Sequence, residues 1–120
     1  MTQLHAFNQQ EQRSHLRWTE AGGRERIMVI PDRPLVIGRG RSADITVKGG
    51  LGIGNRFARV MKNEQGTYLE RCSRLVSVAV NGEHVKGVCR LDDGDSIDLC
   101  GTTLIYCAGL FDEADSPSDQ

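Results

Sequence analysis

The chain is cut into short apolar runs, and almost every run stops at a glycine, a proline or an Asn-Gly pair. Residues 15–19 alternate weakly and end at Ala21-Gly22-Gly23. Residues 26–30 stop at Pro31, and residues 35–37 and 45–47 flank a polar loop headed by Gly38-Arg39. Residues 57–61 and 67–69 read as two more strands, separated by the polar stretch 62–66. Residues 76–80 alternate β-branched and small side chains and meet Asn81-Gly82, the strongest short hairpin signal. Residues 96–99 and 102–107 follow, with Cys100-Gly101 between them. No segment keeps a helical period over three turns. Many short strands at regular spacing predict an all-β sandwich, and the 14 glycines supply the positive φ that its tight turns need.

At 120 residues the chain is long enough for one domain with one core. Residues 1–12 are Gln-rich and without periodicity, and are read as a mobile arm. Residues 13–109 form the domain, and residues 110–120 an acidic, disordered tail. The formal net charge of -1 gives no global field for nucleic acid or an anionic membrane. No apolar stretch approaches the ~20 residues of a membrane helix, and the start of the chain lacks the apolar core of a signal peptide. Cys72, Cys89, Cys100 and Cys107 show neither Cys-x-x-Cys nor zinc spacing. They are read as small buried side chains in a reducing, cytoplasmic setting, with no metal and no cofactor.

Within this frame Arg39 is the residue best placed for recognition. A guanidinium at a strand tip can fork two hydrogen bonds onto a phosphate or carboxylate. The stretch GGLGIGN (Gly49 to Asn55) is glycine-dense, but a nucleotide-binding loop must open a helix, and residues 56–61 read as a strand. It is taken as an inter-strand loop. Asp92, Asp93 and Asp95 lack the closing bidentate Glu of a calcium loop, so they are read as caps of a turn with Gly94 at positive φ. His5, His15 and His84 have no Ser or Cys partner by pattern, and no acid, base and nucleophile assemble into an enzyme. Few aromatics are available to stack bases.

In order, the chain reads VIGRGRSADITV, GNRFARV, YLERCSRLVSVAVNG, CRLDDGDSIDLCG and TTLIYC. This series resembles the forkhead-associated (FHA) domain family over about residues 13–108. Gly38-Arg39 with Asp44-Ile45 matches the family's Gly-Arg and Asp-Ile positions, and LDDGDSIDLCG its Leu-x-Asp-Gly-Asp-x-Ile-x-Leu-Gly segment. The resemblance implies a β-sandwich of about eleven short strands, binding loops gathered at one end, recognition of phosphothreonine in an extended peptide, and no enzymatic activity.

The match departs from the family where phosphate would be held. The family's loop serine aligns with Gly54, its loop-pinning histidine with Phe57, and its backbone-holding asparagine with Val76. Arg39 and Asn55 keep matching types. Losing a hydroxyl bond to a charged group and an asparagine bond removes about 3 kcal/mol, enough to turn a micromolar affinity sub-millimolar. What replaces them is an apolar centre, Leu51, Ile53, Leu75 and Val76, among Arg39, Arg41, Arg56 and Arg74, a composition suited to protein partners. The alternation with Ser77 leaves open whether Leu75 and Val76 face a partner or extend the core. The expected function is a non-catalytic adaptor or scaffold module binding protein or peptide with weak or no phosphothreonine dependence. Comparable forms occur in the inner-ring protein of type III secretion systems. The expected contacts are Arg39, Arg41, Gly54, Asn55, Arg56, Arg74, Leu75 and Val76. The alternative is a working phosphothreonine reader in signalling, anchored by Arg39 in a rebuilt loop site.

Overall fold

The computed structural model describes residues 14–20, 22–47 and 55–109. Eleven strands follow one another: β1 His15–Thr19, β2 Glu25–Val29, β3 Leu35–Gly38, β4 Ile45–Thr46, β5 Arg56–Asn63, β6 Gly66–Arg71, β7 Val78–Val80, β8 Glu83–His84, β9 Val88–Leu91, β10 Ser96–Leu99 and β11 Thr102–Cys107. They form two sheets, ordered β2-β1-β11-β10-β7-β8 and β4-β3-β5-β6-β9. This is the all-β, eleven-stranded sandwich that the pattern of runs predicts.

The alternation of side chains explains how the sheets face each other. Leu35 and Ile37 of β3, Ala58 and Val60 of β5, and Leu69 of β6 point inward from the second sheet. Leu16, Ile97, Leu99, Leu104 and Tyr106 meet them from the first. Each of the leucine, isoleucine and valine side chains contributes about 1.5–3 kcal/mol when fully buried, so the paired faces hold the sheets together. A polar bond also crosses between them: the Tyr106 hydroxyl donates to Thr67 Oγ1 at 2.7 Å in the buried interior.

Two turns follow from their sequences. Asn81 (φ 52°) and Gly82 (φ 86°) join β7 to β8, and Cys100 (φ 52°) and Gly101 (φ 79°) join β10 to β11, both with positive φ at the two central positions. Between β9 and β10, Gly94 sits at φ 89°, and the Asp95 carboxylate accepts the Asp92 N–H at 2.7 Å and the Asn81 amide at 2.9 Å. Asp93 accepts the Ala108 N–H at 2.9 Å. These aspartates are turn caps, as the sequence suggested.

Some expectations change. β9 lies outside the apolar runs, and β8 is marked only by the Asn81-Gly82 hairpin turn that precedes it. β5 runs on to Asn63 and β6 spans Gly66–Arg71, both longer than their apolar runs, because backbone pairing carries past the last apolar residue. β7 begins only at Val78, since Val76 and Ser77 belong to the preceding loop. The cysteines are not buried. Cys72 is exposed because it lies beyond the end of β6. Cys89 and Cys100 only flank the core, and Cys107 alternates with the inward Tyr106. Partial desolvation by neighbouring groups nevertheless raises all four thiol pKa values above their ordinary value. The two terminal arms, and Leu51, Ile53 and Gly54 of the glycine-dense loop, lie outside the described residues.

Candidate functional site

The strand registers gather several connections at one end. Gly38, at the end of β3, lies opposite Arg56 at the start of β5. β6 ends at Arg71 opposite Ala58, and β7 starts at Val78 opposite Leu99, the last residue of β10. The β3–β4 and β6–β7 loops and the Cys100-Gly101 turn therefore share this end, together with both ends of the β4–β5 connection.

Gly38 is where the backbones converge. A Cβ on this residue would stand 1.8 Å from the carbonyl oxygen of Asn55, so only glycine fits. The register shifts between Ile37 and Gly38, and the Arg39 N–H then donates to that same Asn55 carbonyl at 2.9 Å. On its other side Gly38 accepts the Val47 N–H at 2.9 Å. The Gly-Arg pair thus locks the start of the β3–β4 loop onto both ends of the β4–β5 connection. Gly40, at φ 84°, turns the loop back beside the Asn55 side chain. Arg39 is half-buried, whereas Arg41, Asn55 and Arg56 are exposed.

Asp44 closes this loop from below. Its carboxylate accepts the Val36 N–H at 2.8 Å and bonds from both terminal guanidinium nitrogens of Arg33, Nη1 at 3.0 Å and Nη2 at 2.7 Å. The Arg33 hydrogen bonds hold the Asp44 carboxyl below its ordinary pKa, against the upward pull of its own desolvation. The Asp44 N–H returns a bond to the Val36 carbonyl at 2.8 Å. Asp44 is therefore a structural brace of the β3–β4 loop.

The β6–β7 loop is held by a residue that sequence reasoning missed. The Arg71 guanidinium donates to the carbonyls of Ser73 at 2.8 Å, Arg74 at 2.5 Å and Val85 at 3.5 Å. A single cation therefore fixes the loop's course and ties it to the segment after β8. Its one signal in sequence is parity: Arg71 continues the inward series Thr67 and Leu69 at the strand end. The Cys72 N–H adds a bond to the Phe57 carbonyl at 2.8 Å. Phe57, which replaces a histidine of the FHA pattern, is fully buried. Core packing thus anchors the start of β5 where the pattern has a polar pin.

Leu75 and Val76 part company. Leu75 is 73% exposed at the loop tip, beside exposed Arg74, while Val76 is 2% exposed and part of the core. The expectation that Val76 contacts a partner is corrected: packing against the core turns its side chain away from solvent. Of the other expected contacts, Arg39, Arg41, Asn55, Arg56, Arg74 and Leu75 come to the same end, and Gly54 lies outside the described residues. Among the described residues no cluster of His, Cys, Asp or Glu could hold a metal ion, and no helix is long and apolar enough to cross a membrane.

No protein-family model and no curated relative matches the chain. Solved structures do. An FHA domain analysed for phosphothreonine-dependent interactions is 23% identical, with a TM-score of 0.68 over 82% of this chain and 99% of that one. The FhaA FHA domain, complexed with the intracellular domain of Rv3910, is 24% identical, with a TM-score of 0.65 over 78% and 98%. The FHA domain of a Chlamydia trachomatis protein is 17% identical, with a TM-score of 0.68 over 79% and 96%. The fold of this chain is the FHA-type β-sandwich.

Proposed function

We propose that this chain is a non-catalytic protein–protein interaction module that grips its partner at the β3–β4/β6–β7 end with little or no dependence on phosphothreonine. The observation that carries this reading is the β6–β7 loop itself. At the position where the FHA pattern has an asparagine, Val76 is turned into the core, and the side chain presented to solvent is Leu75. A phosphate dianion must exchange its hydration for several donors at once. An exposed leucine beside arginines instead suits a protein surface, where an apolar anchor is ringed by polar groups. In this reading Leu75 is the anchor, Arg39, Arg41, Arg56 and Arg74 form the rim, and the Asn55 amide orients the partner's backbone. The module would span residues 13–109, with the acidic tail 110–120 as a linker, and act as a cytoplasmic adaptor or scaffold of the kind found in secretion systems.

A second reading has its own support. The Gly38 crossing keeps Arg39 at the tip with Asn55 beside it, and two of the structural neighbours were studied in phosphothreonine-dependent or phosphopeptide-bound contexts. A phosphothreonine reader would rely on Arg39 with help from Arg56 or Arg74.

Affinity capture before and after phosphatase treatment, with titration of a phosphothreonine peptide library, separates the two. The first reading expects the partner to persist after dephosphorylation, Leu75→Asp to release it, and Arg39→Ala to weaken it modestly. Strict phosphatase sensitivity, or micromolar binding of a phosphothreonine peptide abolished by Arg39→Ala, would overturn it in favour of the second.

A further inference from the structure

Just below the loop end, the outer face of the second sheet carries a groove of about 540 Å3. Pro34, Val36, Arg56, Arg59, Glu70 and Cys72 line it. The cross-strand register builds the floor: Val36 lies opposite Arg59, and Arg59 opposite Glu70. Arg59 is ion-paired to Glu70. Arg71 also reaches the wall, although its own hydrogen bonds go to loop carbonyls. Arg56 is exposed and has no side-chain hydrogen bond or ion pair among the described residues. Three arginines thus border the groove against one carboxylate, which concentrates positive potential there, and Arg56 is the one whose guanidinium has no partner of its own among the described residues. The groove also joins the loop end directly. Arg56 follows Asn55, whose carbonyl holds the Arg39 N–H.

We propose that this groove is a second binding subsite for an acidic peptide segment, with an Asp or Glu carboxylate against Arg56 and the adjoining backbone lying over Pro34 and Val36. It rests on the interaction-module reading, as the acidic flank of the same polypeptide that meets Leu75. The Arg59–Glu70 pair makes Arg59 a fixed wall and leaves Arg56 as the group that engages the incoming charge.

Cys72 supplies a reporter, because it lines the groove and is an exposed residue, whereas the other three cysteines are half-buried. The rate of Cys72 alkylation by iodoacetamide, read by mass spectrometry on the full chain, tests the proposal. The probe is a capped hexapeptide carrying three Asp/Glu residues, and the control is its Asn/Gln twin. The acidic probe should slow alkylation saturably and the twin should not. The protection should vanish near 1 M salt, where the screening length falls to about 3 Å. Arg56→Gln should weaken the probe about three- to fivefold, the scale of one exposed ion pair, while Arg26→Gln on the first sheet should not. Amide NMR shifts should centre on Val36, Arg56 and Arg59. Equal protection by both peptides, no protection, or protection unaltered by Arg56→Gln would overturn the groove. So would amide shifts confined to Arg39 and Leu75, a result that leaves the loop-end reading standing. Conversely, Leu75→Asp failing to release the partner, with probe protection intact, would sink that reading and keep the groove.

Discussion

The Asn55 carbonyl oxygen occupies the space beside Gly38 in which any other residue would place its Cβ, at a separation of 1.8 Å. Both partners are backbone, so neither can swing aside. Gly38→Ala should therefore cost about 3 kcal/mol or more, at the upper end of overpacking substitutions. Urea unfolding measures this, and a loss under about 1 kcal/mol would show that the two strands separate easily here.

Arg71→Ala should loosen the β6–β7 loop with little effect on the sandwich. Hydrogen bonds from a charged donor contribute about 1.5–3 kcal/mol, and part of that returns through water at this half-exposed site. We expect a stability loss of about 1–2 kcal/mol and faster amide exchange at Leu75, whose N–H donates to Ser73 Oγ at 3.2 Å. Partner affinity should fall with Arg71→Ala even though Arg71 faces carbonyls of its own chain.

Asp44→Asn should destabilise the fold in a pH-dependent way. The Asp44 carboxyl is held below its ordinary value chiefly by the Arg33 hydrogen bonds. A depressed folded pKa gives stability that is fully present above the unfolded value of about 4 and is lost as the pH falls through the folded value. At pH 7 the substitution should cost about 1 kcal/mol or more, and the gap from the parent chain should narrow below pH 4. Unfolding curves at pH 7 and pH 3 check the sign, and a gap that widens in acid would contradict the assignment.

Val76→Asn restores the residue type of the FHA pattern. In this chain it places an amide where Val76 is 2% exposed, at a cost of about 1–3 kcal/mol by protein mutational scales. Titration should show no gain in phosphothreonine-peptide affinity. A tenfold gain would mean that the loop can rotate this position outward, and would favour the phosphothreonine reading.

The sequence makes much of this fold legible and leaves specific parts dark. Asn81-Gly82 announces its hairpin because two consecutive positive-φ residues have few other uses. Ser96–Leu99 and Thr102–Cys107 appear at their observed limits, since Ile97, Leu99, Leu104 and Tyr106 alternate cleanly. The extent of β8 beyond the Asn81-Gly82 turn is invisible because Glu83 and His84 are both exposed and form only two pairs, and β9 because Val88 and Arg90 face outward at a sheet edge. The opposite fates of Leu75 and Val76 are decided by loop geometry, to which hydrophobicity is blind. Arg71 escaped notice for a related reason. Its partners are carbonyls, and every residue has one.

The β6–β7 loop leaves the second sheet at Arg71 and enters the first at Val78. Leu75 therefore stands astride the seam of the sandwich, whereas Arg39 belongs to one slab. A partner that grasps both acts as a buckle across the two halves. Its occupancy is then legible in the domain's own mechanics: pulling the sheets apart should require more force with the partner seated than without it.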